Sequence, residues 1–241
     1  MGVETVARTD TGRQRAHNED SVLAAPTSGG RLLAVADGMG GHNAGEVASA
    51  SALAAFVDEL GETLAEADRA TALERAVVTA DERVREKAAE DPDREGMGTT
   101  LVAALVDGES ATVVNVGDSR AYSVTDTEIE QISVDHSLVR ELVDAGEITE
   151  AEAETHPQRN VVSQALGAAE SIDPDSFTVE FGSGETLLLC SDGLTEEVPE
   201  STVREVVAGT ASLESTAENL IRIANENGGS DNVSVVLGRR R

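Results

Sequence analysis

The chain has 241 residues and a formal net charge of −28, from 46 acidic and 18 basic side chains. That excess of acid repels phosphate backbones and anionic bilayers, which excludes nucleic acid and membrane surfaces as default partners. Seventeen basic residues are Arg and one is Lys87, so with an aliphatic interior this is the balance of a halophilic protein, whose self-repulsion needs dense counterions.

The predicted elements follow in chain order. Leu32 to Ala36 reads as a strand. Two long helical patterns come next, about Ala44 to Leu60 and about Leu64 to Glu90. The first places Ala52, Leu53, Phe56, Val57 and Leu60 on one face, and Asp91-Pro92 ends the second. Strands are expected at Thr100 to Leu105, Ala111 to Val116 and Ala121 to Val124. A helix is expected at about Ser137 to Ala145, with Gly146 closing it. Thr186 to Cys190 reads as a strand, about Ser201 to Val207 and Leu213 to Asn225 as helices, and Val233 to Leu237 as a last strand. Strands grouped like hairpins with helices inserted in pairs make an α+β layout rather than an alternating βαβ chain. No repeat or linker interrupts it, so residues 1–241 read as one domain.

Only Phe56, Tyr122, Phe177 and Phe181 are aromatic, so the core is expected to be Val, Leu, Ile and Ala. Cys190 is the single cysteine, which excludes an internal disulfide and a Cys-based zinc site. No run approaches 18 apolar residues and the N-terminus lacks a leader pattern, so a soluble cytoplasmic protein is expected.

Chemistry concentrates where apolar strands run into acidic turns. Leu32 to Ala36 leads to Asp37-Gly38, Thr112 to Val116 to Gly117-Asp118, and Leu187 to Ser191 to Asp192-Gly193, while Asp231-Asn232 opens the run Val233 to Leu237. Any one of these is an ordinary turn. If the strand ends share one edge, four carboxylates converge there with Glu19 and Asp20, and such a cluster repels itself unless a cation neutralises it. Oxygen-only ligands suit Mg²⁺, Mn²⁺ or Ca²⁺, and Gly38 adds a backbone carbonyl with no side chain to crowd an ion. Arg15, five residues before Asp20, is placed to grip phosphate oxygens in a fork.

Taken in order, Arg15-Ala16-His17-Asn18-Glu19-Asp20, Asp37-Gly38-Met39-Gly40-Gly41-His42, Gly98-Thr99-Thr100, Gly117-Asp118-Ser119-Arg120, Asp135-His136-Ser137, Arg159-Asn160-Val161, Ser191-Asp192-Gly193-Leu194-Thr195 and Asp231-Asn232 resemble the type 2C (PPM) metal-dependent Ser/Thr protein phosphatases in their compact prokaryotic form. The resemblance spans residues 9 to 237. It implies a four-layer α-β-β-α sandwich of two antiparallel sheets, with two Mn²⁺ or Mg²⁺ ions at one end. By motif, Asp37, Asp192 and Asp231 would bind the first ion, Asp37 and the Gly38 carbonyl the second, and Asp118 with Asp192 a weaker third. Glu19 and Asp20 would hold metal-bound waters, Arg15 the substrate phosphate, and Glu147 to Asn160 would form a mobile flap. Phosphorylated proteins would be the substrates, attacked directly by a water bridging the two ions, and the domain would be a monomer.

Two departures stand out. Met39 occupies the place where animal relatives carry a proposed proton-donating His; a thioether cannot donate, so the general acid is unassigned, with a metal-bound water the expected candidate. Gln164-Ala165-Leu166-Gly167 stands where many prokaryotic relatives have Arg-Ala-Leu-Gly. Cys190 reads as a buried structural thiol, since the residue six positions on is Glu196 rather than Arg. His17, His42, His136 and His156 lack metal spacing and read as hydrogen-bonding residues, with His42 and His136 nearest the motifs. The rival readings are a silent phosphopeptide-binding pseudophosphatase and a phosphatase of an anti-sigma antagonist.

Overall fold

The computed structural model describes residues 2–40, 44–209 and 211–240; His42 lies outside them. The strands are β1 (Val3–Asp10), β2 (Ser21–Thr27), β3 (Gly30–Ala36), β4 (Gly38–Met39), β5 (Gly98–Thr99), β6 (Leu101–Asp107), β7 (Ser110–Val116), β8 (Arg120–Val124), β9 (Ile129–Gln131), β10 (Asp175–Glu180), β11 (Thr186–Cys190) and β12 (Val233–Arg240). The helices are α1 (Ala44–Thr63), α2 (Arg69–Ala89), α3 (Leu138–Asp144), α4 (Glu150–Ala153), α5 (Asp192–Thr195), α6 (Glu200–Val207) and α7 (Leu213–Asn227). Two five-stranded sheets, ordered β1-β12-β11-β8-β9 and β10-β7-β6-β3-β2, are antiparallel throughout, and β4 pairs with β5 in a small ribbon.

The two-residue period of a strand sorts the core into three layers. In β3, Leu32, Ala34 and Ala36 face α1 and α2, whereas Leu33 and Val35 join the inter-sheet core. In β11, Leu188 and Cys190 pack in the layer with α5, α6 and α7, and Leu187 and Leu189 face the opposite sheet. A strand sandwiched on both faces has no solvent side, which is why β3, β6 and β11 read as unbroken apolar runs. Each fully buried Leu there contributes on the order of 2 kcal/mol. The α-β-β-α sandwich expected from the resemblance is the fold observed.

The six strands read from the sequence are the interior ones: β3, β6, β7, β8, β11 and β12. The four edge strands, β1, β2, β9 and β10, were not anticipated, because an edge is half-solvated and carries a mixed pattern. The second long helix begins at Arg69 rather than near Leu64. Asp68 caps it by accepting from the Thr71 amide, and α1 runs on to Thr63. Near Ser137 the expectation holds: Ser137 caps α3 and Gly146 follows it at φ 72°.

Register brings the acidic turns to one end. Ser21 pairs with Ala36 and Leu101 with Val116, so Asp20, Asp37, Thr100 and Gly117 sit at the same end of one sheet. Asp10 pairs with Val233 and Cys190 with both Val235 and Arg120, which sets Asp192 and Asp231 at the matching end of the other.

Candidate active site

Asp37 is held by its backbone. Its N–H donates to Thr100 Oγ1 at 3.0 Å, and its carbonyl accepts from Thr99 Oγ1 at 2.8 Å and the Thr100 amide at 2.9 Å. The side chain is thereby free to face the carboxylates around it. Its pKa lies well above the ordinary value, raised first by burial and then by the charges of Asp20, Asp192, Asp118 and Asp231. Gly38 tolerates no side chain, since a Cβ there would lie 2.2 Å from the Gly45 carbonyl oxygen and 2.5 Å from that of Glu19.

Asp20 spans the two sheets. Its Oδ2 accepts from Ser191 Oγ at 3.0 Å and from Ser234 Oγ at 2.5 Å, while its Oδ1 is buried with no partner. Burial pushes its pKa to about 6 despite those two hydroxyls. Asp192, at the start of α5, also has a buried Oδ1 without a partner. Burial, then Asp118 and Glu196, raise its pKa to about 8. Asp118 reaches about 6 through burial and the nearby Asp135. Glu19 is raised chiefly by burial, and its Oε1, close to the Gly45 amide, completes no hydrogen bond. At the mouth, half-exposed Arg15 places Nη2 2.5 Å from Asp231 Oδ2.

Every site residue anticipated from the sequence therefore lies at this end of the sandwich. Among the described residues no three His, Cys, Asp or Glu side chains are gathered closely enough to hold an ion by themselves. That is compatible with Mg²⁺ or Mn²⁺, because such ions keep much of their water and need few direct protein ligands. Buried carboxylate oxygens that lack hydrogen-bond donors, beside carboxylates whose charges raise one another's pKa, are the environment that a divalent cation relieves. The donor set fits such ions and offers nothing for a softer metal.

Sequence reasoning assigned no role to the groups that hold these acids. Asn232 accepts from the Glu19 amide at 2.8 Å and donates to the carbonyls of Thr11 and His17, pinning the loop that carries Arg15 and Glu19. Arg120 forks onto Asp135 and also donates to the Tyr122 hydroxyl at 3.2 Å. The available signal was small polar residues, Ser191, Ser234 and Asn232, breaking apolar runs beside Asp. His136 is the hydrogen-bonding residue it was read to be: buried, its Nδ1 accepts from the Gly117 amide and its Nε2 lies 3.1 Å from Asp175. Cys190 is buried, which pushes its thiol up to about 12. Beside the site, a cavity of about 1060 Å³ runs from Asp118 and Asp192 to Arg140, Glu150 and Arg159.

The family model "Protein phosphatase 2C" matches residues 9–237. This chain belongs to the protein phosphatase 2C family. It is 40% identical over 237 residues to the serine/threonine phosphatase stp of Listeria welshimeri, covering 97% of this chain and 94% of that one. It is 44% identical over 235 residues to the serine/threonine protein phosphatase PstP of Mycobacterium tuberculosis, covering 96% of this chain and 44% of that longer one. The crystal structure of M. tuberculosis PstP/Ppp superposes with a TM-score of 0.91 at 41% identity, over the full length of both chains. A PstP catalytic domain in complex with two manganese ions superposes at 0.85 with 39% identity, covering 98% of this chain and 97% of that one.

Proposed function

We infer that this protein is a metal-dependent protein phosphatase that hydrolyses phosphoserine and phosphothreonine in proteins. The observation that carries it is the cluster of Asp20, Asp37, Asp118, Asp192 and Asp231, in which two buried oxygens lack any donor. The relatives' names and the two-manganese neighbour support the same reading.

In this reading Asp37, Asp192, Asp231 and the Gly38 carbonyl hold two Mn²⁺ or Mg²⁺ ions, and Asp118 with Asp192 takes a third. Glu19 and Asp20 complete the outer shell of acceptors. When bound, the ions supply a water nucleophile at neutral pH and neutralise charge on the phosphoryl oxygens. Arg15, already beside Asp231, turns its remaining donors to the phosphate and sets its orientation. Thr99 and Thr100 keep the Asp37 backbone from shifting. Met39 has no proton to give, and Cys190, buried with its thiol raised to about 12, is not a nucleophile. The cavity beside the flap receives the chain flanking the phosphorylated residue. No described helix is long and apolar enough to cross a membrane. The acidic, Lys-poor composition suggests a salt-adapted enzyme, and the family resemblance suggests a cytoplasmic monomer.

The deciding experiment measures hydrolysis of p-nitrophenyl phosphate and a phosphothreonine peptide in concentrated KCl with Mn²⁺, with Mg²⁺ and with EDTA. Release that needs metal and is lost in EDTA supports the reading. A folded protein silent under every metal refutes it and leaves a phosphopeptide-binding pseudophosphatase.

A further inference from the structure

Helix α2 is built to bury an apolar stripe of Ala72, Leu73, Ala76, Val77, Ala80 and Val84, yet Asp81 in the same stretch is only 8% exposed. A carboxylate buried there is costly unless its oxygens are matched. Asp81 Oδ1 accepts from the Gly167 amide at 2.7 Å, and Oδ2 accepts from Arg85 Nε at 2.8 Å. Arg85 reaches on to donate to the Ala169 carbonyl at 2.6 Å. One ion pair on α2 thus holds both ends of the turn Gly167-Ala168-Ala169.

That turn is pressed flat against the helix. Gly167 has φ +82°, and a Cβ on it would lie 2.2 Å from Val84 Cγ1. Its other side backs the ribbon beneath the site. Leu166 exchanges two backbone hydrogen bonds with Thr99, at 3.0 and 2.9 Å, and a Cβ on Gly98 would meet Ala168 at 2.8 Å. Thr99 in turn donates its hydroxyl to the Asp37 carbonyl and pairs with Gly38. A continuous path runs from Asp81 through Gly167, Leu166 and Thr99 to the two residues that offer a carboxylate and a carbonyl to the ions.

We propose that Asp81, clamped by Arg85, is a positioning residue that sets where Asp37 and the Gly38 carbonyl stand, through the Gln164 to Ala169 segment. The assignment rests on the metal-dependent phosphatase reading. Groups behind a metal's direct ligands tune affinity by orienting those ligands, with losses of about 10- to 100-fold on removal. Asp81 acts from further back, so a loss of about 3- to 10-fold is expected.

The test titrates Mn²⁺ calorimetrically into the wild-type protein, Asp81→Asn and Arg85→Met, with thermal unfolding in EDTA recorded beside it. Asp81→Asn keeps the side chain's shape but removes the ion pair. Arg85→Met frees the Ala169 carbonyl, leaves the bond from the Gly167 amide to Asp81 in place, and provides the test where Asp81→Asn fails to fold. Both are expected to bind Mn²⁺ about 3- to 10-fold more weakly and to need correspondingly more Mn²⁺ for half-maximal activity. At saturating Mn²⁺ their kcat stays within about twofold of wild type, because no reacting atom is touched. In a Thr99→Val background, which removes the hydroxyl arm to Asp37 and leaves the backbone pairing with Gly38, adding Asp81→Asn costs less Mn²⁺ affinity than it does in wild type. Mn²⁺ affinity unchanged in a folded variant, even with a lowered melting temperature, overturns the inference and makes the pair purely structural. A full Asp81→Asn effect in the Thr99→Val background overturns the arm of the path that runs through the Thr99 hydroxyl to Asp37. A wild-type protein that binds no Mn²⁺ overturns the phosphatase reading and this inference together.

Discussion

Replacing Asp192 by Asn separates a residue kept for stability from one kept for a cation. In the metal-free protein this carboxylate is a burden, because burial and the charges of Asp118, Glu196, Asp231 and Asp20 raise its pKa from 3.8 to about 8. A raised carboxylate pKa means that the folded state binds more protons than the unfolded one between those two values. Stability therefore falls as pH climbs from about 4 to about 8. Asn carries no charge and escapes that fall. The full shift corresponds to several kcal/mol above pH 8. Asp118 and Asp37 share the same repulsion and relax when one partner is neutral, so a gain of about 2 kcal/mol is the working figure. For a chain of this size that raises the melting temperature by roughly 4–8 °C. With Mn²⁺ the order reverses. Wild type gains about 2.7 kcal/mol at a hundredfold excess over Kd, and the variant, short of one ligand, gains little. Differential scanning fluorimetry at pH 5 and pH 8.5, in EDTA and in Mn²⁺, reads all four states. A variant less stable than wild type in EDTA at pH 8.5, or one with an undiminished Mn²⁺ shift, would refute a clustered cation site.

Because Asp20 and Asp118 titrate near 6 and Asp192 near 8 without metal, Mn²⁺ binding at pH 6–7 should release protons. Calorimetry in buffers of different ionisation enthalpy measures that release, and buffer-independent heats would contradict it. Arg15→Ala is expected to raise KM for a phosphopeptide about tenfold while shifting stability by less than about 1 kcal/mol, since its ion pair is half-exposed. Steady-state kinetics beside a thermal melt decides whether that split holds. Asn232→Ala removes one acceptor and two donors that hold the Arg15 to Asp20 loop; urea titration should show a loss of about 2–3 kcal/mol. With a net charge of −28, the melting temperature should climb between 0.1 and 2 M KCl, and a flat response would count against salt adaptation.

The chain's order of motifs and its interior strands could be read directly, because both are written locally. β3, β6, β7, β8, β11 and β12 lie inside the sheets; the runs of β3, β7 and β11 end in the acidic turns at Asp37, Asp118 and Asp192, and Asp231 opens β12. The edge strands β1, β2, β9 and β10 were silent, since half-solvated backbone leaves only a weak alternating trace. The site residues themselves were visible as types beside strand ends. Their convergence was decided by antiparallel register, which sets Asp20 beside Asp37 in one sheet and Asp192 and Asp231 at the matching end of the other, and by the packing of the two sheets, which brings the pairs together. The supports were decided by tertiary structure too. Nothing local links Asp81 to Gly167, 86 residues on, or Asn232 to the Glu19 amide, 213 residues back. Those partners meet only when the layers close, because a hydrogen bond reads distance in space and a sequence pattern reads distance along the chain.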